Sequence, residues 1–143
     1  MKYKVNIASI LLTSILFSSV SFSYADKMPS VARAMFTTAV IDREPVDQVL
    51  VLKNNTASIL FFTDLRHFDG QTVTHKWVYA SKTESIVKFK VKGPRWRVYS
   101  KIDIKPNKLG KWSVVVENEK GQAVKASVFQ LADKTSEQII LKK

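Results

Sequence analysis

From about residue 30 onward, apolar and polar side chains alternate with a period of two, and turn-forming residues recur between the runs. Helical periodicity is almost absent. That pattern predicts strands, and turn signals at this spacing predict a sandwich or a small barrel. The expected strands cover residues 32–41, 58–65, 72–79, 84–92, 95–102, 110–117 and 122–131. Arg43-Glu44-Pro45 breaks the first of them, Asn54-Asn55-Thr56 and Asp69-Gly70 are turns, and another turn runs over residues 118–121. Residues 46–53 fit a short strand or a loop, and residues 138–141 fit a short strand or a fraying tail. The run 58–65 is apolar on both faces, as in a central strand. The expected fold is all-β: an immunoglobulin-like antiparallel sandwich of seven to eight strands in one domain over residues 26–143. A small OB-like barrel is the alternative.

Alternation also assigns faces. Val73, His75, Trp77 and Tyr79 share one face of their strand, which makes Trp77 the strongest core candidate and His75 a hydrogen-bonded interior histidine. A two-residue loop at Gly93-Pro94 would pair Val91 with Trp96 and Phe89 with Val98 on an apolar face. Lys88, Lys90, Lys92, Arg95, Arg97 and Tyr99 would then fall on the other face. Glycine suits the first position of a type II′ turn and proline the second. A corner at which the chain switches sheets is the other reading of Gly93-Pro94.

The first 25 residues depart from this pattern. Lys2 and Lys4 precede an uncharged apolar run from Ile7 to Val20, and Ser23-Tyr24-Ala25 places small residues before Asp26. This is the layout of a secretory signal peptide cleaved after Ala25. The apolar run is short for a membrane span. The expectation is a periplasmic protein without a transmembrane span in the mature chain.

Charge then narrows the partners. The formal net charge is +11, of which Lys2 and Lys4 in the leader carry two. A field of that sign favours an anionic envelope polymer or an acidic protein partner, and export makes nucleic acid an unlikely one. Solubility alone is the plainer explanation. There is no cysteine, which removes disulfides, Cys-based zinc sites, thiol catalysis and a lipoprotein anchor.

The basic face is the main candidate for chemistry. The anion-binding set is Lys88, Lys90, Arg95, Arg97 and Tyr99, joined by Lys101 and His75. Like charges set opposite each other across strands cost a few tenths to about 1 kcal/mol per pair, so a ligand would explain them. Edge protection by cations would also explain them. Asp64, His67 and Asp69 stand near a turn, but their spacing matches no metal motif, and carboxylates there serve as caps. No serine has a nucleophile-elbow setting. No catalytic residue, metal or cofactor is expected.

Several stretches together resemble a known family. They are Arg33, Thr37-Thr38-Ala39-Val40-Ile41-Asp42-Arg43-Glu44-Pro45 and Phe61-Phe62-Thr63-Asp64-Leu65, followed by Val73-Thr74-His75-Lys76-Trp77-Val78-Tyr79. Arg95-Trp96-Arg97-Val98-Tyr99-Ser100 and Gly110-Lys111-Trp112-Ser113-Val114 complete the set. In this order they resemble the bacterial domain of unknown function 2914 over about residues 32–131. The resemblance implies an exported or membrane-attached bacterial β-domain with no assigned activity. The expected function is therefore a non-enzymatic binding or accessory module of the cell envelope. A glycan-acting hydrolase or transferase using His75 is one alternative, and a structural subunit docking by a strand edge is another.

Overall fold

The computed structural model describes residues 27–137 and 139–142. The expected leader therefore lies outside the described residues. Eleven strands follow one another among these residues: β1 (Ser30–Thr37), β2 (Val40–Ile41), β3 (Glu44–Pro45), β4 (Asp47–Lys53), β5 (Ser58–Arg66) and β6 (Thr72–Tyr79) come first. β7 (Lys82–Lys90), β8 (Arg95–Asp103), β9 (Gly110–Glu117), β10 (Ala123–Ala132) and β11 (Ile139–Lys142) follow. Among the described residues there is no helix.

Two sheets face each other. One has three strands in the order β1-β5-β8, and the other has six in the order β11-β4-β10-β9-β6-β7. Pairing is antiparallel except between β4 and β10, which run parallel. The two segments that pattern alone leaves open, 46–53 and 138–141, both contribute strands, which brings the two sheets to nine. The sheets do not close, so the chain is a sandwich and not a barrel. The strand order follows the immunoglobulin plan. β1, β5 and β8 take the places of strands A, B and E, and β6, β9 and β10 those of C, F and G.

The core lies where the two inner faces meet. Phe36, Ile59, Phe61 and Leu65 of the small sheet pack against Val49, Leu52, Trp77, Trp112, Val114, Phe129 and Leu131 of the large one. Rings meet at tilted and edge-on angles through its centre: Phe36 lies 4.9 Å from Phe61, 4.7 Å from Phe129 and 5.7 Å from Trp77. Burial of each large side chain stabilises by about 1.5–3 kcal/mol, so these rings dominate the packing energy.

Gly93-Pro94 is a corner between sheets, and the hairpin expected there does not form. β7 pairs with β6, and β8 pairs with β5. The backbone shows why. Val91 N–H donates to Gln71 O at 2.9 Å, which extends the ladder with β6, while His67 N–H donates to Pro94 O at 2.9 Å, which extends the ladder with β5. Each strand gains a nine-residue or eight-residue neighbour by parting from the other. Gly93 is not among the residues with positive φ, as a type II′ turn requires. Phe89, Val91, Trp96 and Val98 sort to one side because both inner faces look into the same core.

The outer face of the small sheet is covered in part. After β1 the chain leaves the sheet and forms the short β2–β3 hairpin, in which Val40 faces Pro45 and Ile41 faces Glu44. Its base is pinned by Asp47, which accepts hydrogen bonds from Thr38 N–H (2.8 Å), the Thr38 hydroxyl (2.5 Å) and the Thr37 hydroxyl (2.8 Å). Its tip is Asp42-Arg43, with φ of 49° and 62°. Two consecutive positive φ values make a type I′ turn. Phe62 and Asp64, whose side chains point away from the core, are buried there nonetheless.

Candidate functional site

Alternation along β8 sends Trp96, Val98, Ser100 and Ile102 inward and Arg95, Arg97, Tyr99 and Lys101 outward. Register then brings partners. Arg97 lies opposite Asp64, and Arg95 lies opposite Arg66 on β5. Arg33 on β1 lies opposite Asp64 from the other side. The outer face of the small sheet thus centres on one carboxylate between arginines.

Asp64 is 1% exposed. Its Oδ2 lies 3.1 Å from Arg66, 3.2 Å from Arg95, and 3.6 Å from both Arg33 and Arg97. Glu44, carried over the sheet by the β2–β3 hairpin, takes both guanidinium nitrogens of Arg33 at 2.8 and 3.1 Å, and Arg97 Nη1 lies 2.6 Å from its Oε1. The fork-on-fork bond to Glu44 raises the Arg33 pKa above its ordinary value. Arg33 also lies over the Phe62 ring, 5.1 Å from its centre. Burial of a carboxylate costs several kcal/mol unless opposite charge surrounds it, and here the surrounding charge exceeds what Asp64 needs. Asp64 Oδ1 and Arg97 Nε have no hydrogen-bond partner among the described residues.

A groove of about 430 Å³ opens beside this cluster, lined by Arg43, Arg95, Trp96, Arg97 and Val98. Arg43 comes from the type I′ tip, where an arginine backbone at φ of 62° is disfavoured. The groove therefore receives cations from β8 and from the hairpin tip. Five arginines and two carboxylates gather in this part of the face, so it carries an excess of positive charge.

The residues expected from sequence do not form one patch. Arg95, Arg97, Tyr99 and Lys101 share the outer face of β8, and Tyr99 is 52% exposed. Lys88 and Lys90 lie on β7 of the other sheet, opposite Thr74 and Thr72. Lys88 shares a depression there with Glu117 and Glu119, and Lys90 donates to the Gly70 carbonyl. Their separation from Arg95 and Arg97 follows from the corner at Gly93-Pro94.

His75 is no part of a surface. It is fully buried, with Nε2 3.0 Å from Thr63 Oγ1 and Nδ1 2.9 Å from Ser100 Oγ. Ser100 also accepts from Trp77 Nε1 at 2.9 Å. This network ties β6 to β5 and β8 across the sandwich. Burial pushes the His75 pKa down to about 3, so the ring is neutral near pH 7 and joins two hydroxyls that each donate and accept. Trp77 and Trp112 are core residues, and only Trp96 reaches the groove. Among the described residues no group of His, Asp and Glu is arranged to hold a metal, and Asp64 is engaged by arginines. No described helix is long and apolar enough to cross a membrane.

Sequence reasoning missed Arg33, Arg43, Arg66, Glu44 and Asp64 as one site. One signal was present: Asp64 is the sole charge within Ser58–Leu65, a run apolar on both faces. A carboxylate in such a run must be buried and paired.

Comparison with known families supports the resemblance. Residues 70–131 match the model of a family described as "Protein of unknown function (DUF2914)". The matched range takes in β6 to β10, including Arg95 and Arg97, while Arg33, Glu44 and Asp64 precede it. No curated protein matches the sequence.

Proposed function

The family DUF2914, to which this chain belongs, has no assigned function, so we propose from the chain's own geometry that it is a non-enzymatic module that binds an anionic partner in the arginine groove. We infer that it works outside the inner membrane, as an accessory of the bacterial envelope, on the strength of its leader-like first 25 residues. The observation that carries this reading is the convergence of Arg33, Arg66, Arg95 and Arg97 on the single buried carboxylate of Asp64, with Arg43 beside them. Guanidinium groups present paired donors that match carboxylate and phosphate oxygens, and a half-buried site screens them less than open solvent does. On this reading the binding surface is the outer face of β1, β5 and β8 and not the expected hairpin face. The alternative of a hydrolase takes His75 as its base, and that ring is enclosed with both nitrogens hydrogen-bonded.

A charge-matched pair of variants tests this. Binding is measured to polyglutamate and to phosphatidylglycerol vesicles at low salt. The Arg95→Gln, Arg97→Gln double variant should lose about ten-fold or more in affinity for the probe that binds. The Lys88→Gln, Lys90→Gln double variant removes the same charge from the other sheet and should bind as the parent does. Equal losses in both would reduce the effect to net charge and overturn the site.

A further inference from the structure

The small sheet ends where another strand would fit. Constant-type immunoglobulin sandwiches place a fourth strand, D, beside E. Here β8 occupies the E position, and among the described residues it pairs with β5 alone. The ladder fixes which backbone groups are engaged. Ile104 N–H donates to Ala57 O, and His67 N–H donates to Pro94 O, so even-numbered residues of β8 direct their N–H and C=O groups to β5. The odd-numbered residues, Arg95, Arg97, Tyr99 and Lys101, direct theirs to the open edge. The groove runs along that edge, since four consecutive β8 residues, Arg95 to Val98, line it.

We propose that the anionic partner is an extended acidic segment of a protein, which adds to β8 as the missing fourth strand. The proposal rests on the anion reading above and names the partner class for that same groove. Backbone pairing supplies affinity in such additions, and side chains at alternate positions supply specificity. The residues of an added strand opposite Arg95 and Arg97 stand on the outer face, two positions apart. Carboxylates at those two positions meet Arg95, Arg97 and Arg43. A third, further along, meets Lys101. The partner's recognition pattern is therefore acidic residues at every second position.

Edge protection alone would leave these cations extended into water. Instead the Arg97 side chain is 23% exposed and drawn in over Asp64 and Glu44. Arg95, 50% exposed, stands at the groove mouth. Such a face repels a second copy of itself and attracts an acidic strand.

The experiment uses the purified full-length protein and an eight-residue peptide of alternating Glu and Thr. Two further peptides carry N-methyl groups, one on the Glu amides and the other on the Thr amides. Phosphatidylglycerol vesicles and inorganic phosphate serve as non-peptide anions. The expected result is that the parent peptide binds and one methylated version, not both, loses about ten-fold or more in affinity. Hydrogen exchange at the Arg95, Arg97, Tyr99 and Lys101 amides should slow in the complex. If both methylated peptides bind like the parent, yet binding is lost in the Arg95→Gln, Arg97→Gln variant, strand addition is overturned and the anion site stands. Strand addition is likewise overturned if only vesicles or phosphate bind in an arginine-dependent way. If no probe depends on these arginines, both readings fall.

Discussion

Two neighbouring residues of β5, Thr63 and Asp64, open onto two polar clusters of opposite character. Thr63 points inward and meets His75, which meets Ser100, which meets Trp77. Every ring nitrogen in that cluster has a partner, and no net charge is present. Asp64 points outward into four arginines and leaves one of its own oxygens without a hydrogen bond. The first cluster is neutral and pairs every one of its ring nitrogens, as buried polar groups in a core must be paired. The second holds more cation than it can neutralise. A side chain's direction from one strand thus separates a structural device from a candidate binding device, and each can be attacked alone.

The largest effect should come from the closed cluster. Trp77→Ala removes a buried ring that contacts Phe36 and Phe61 and also removes the donor to Ser100. It should cost about 3–5 kcal/mol in denaturant unfolding. A midpoint near the parent's would show that the inner cluster does not hold the sandwich together.

Acid should strike the same cluster next. The unfolded chain's histidine titrates near 6.5, whereas His75 in the folded protein is pushed down to about 3. Between those values the unfolded chain binds more protons. Stability is therefore fully present above about pH 6.5 and falls as the pH drops, by about 1.4 kcal/mol per unit. Between pH 7 and pH 5 the loss should be about 2 kcal/mol. It should largely vanish in His75→Gln, measured against that variant's own stability at pH 7. An unchanged slope in the variant would assign the acid sensitivity elsewhere.

Salt separates the two clusters further. Asp64→Asn leaves the arginines facing one another with only Glu44 between them, and should cost about 1–2 kcal/mol at low ionic strength. Added salt should recover part of that loss. Thr63→Val leaves a ring nitrogen of His75 unpaired and should cost a similar amount, about 1–3 kcal/mol, but without salt dependence. Matching salt responses in the two variants would remove the distinction between them.

Much of this fold can be read from alternation alone. β6 and β9 have the boundaries expected, and the turns at Asp69-Gly70 and at Asn118 to Gly121 form where their turn residues stand. Local pattern carries those elements because each strand has one face in the core. What alternation cannot carry is the identity of the neighbour. Phe89, Val91, Trp96 and Val98 face inward whether their strands are paired or stand on opposite sides of a sandwich. The expected basic hairpin rests on that ambiguity, and with it a patch joining Lys88 and Lys90 to Arg95 and Arg97. The true hairpin, β6–β7, turns at Ala80-Ser81, with φ of 46° and 63°. That type I′ turn lacks the asparagine and glycine that would have announced it. The site is illegible for the same reason. Arg33, Glu44, Asp64 and Arg97 come from four strands, and only long-range register brings them together.

The two type I′ turns offer the smallest and most discriminating test. Asp42-Arg43 and Ala80-Ser81 both hold non-glycine residues at positive φ, at a cost near 1 kcal/mol for the bulkier positions. Ser81→Gly should relieve that strain and raise stability by up to about 1 kcal/mol, since the Ala80-Ser81 turn joins two strands of the large sheet. Arg43→Gly should raise stability by a similar amount, about 0.5–1 kcal/mol, because it relieves the same backbone strain. The two variants should part in binding. Arg43 lines the groove, so its removal should weaken capture of the acidic peptide several-fold, while Ser81→Gly binds like the parent. Strain retained at a functional position is expected where a ligand, not packing, selects the residue. If Arg43→Gly gains stability and keeps full affinity, the hairpin tip is a tolerated irregularity and the groove's cations come from β8 alone. If it loses stability, the side chain supports the fold, and the tip is better described as part of the arginine–carboxylate lattice over Asp64.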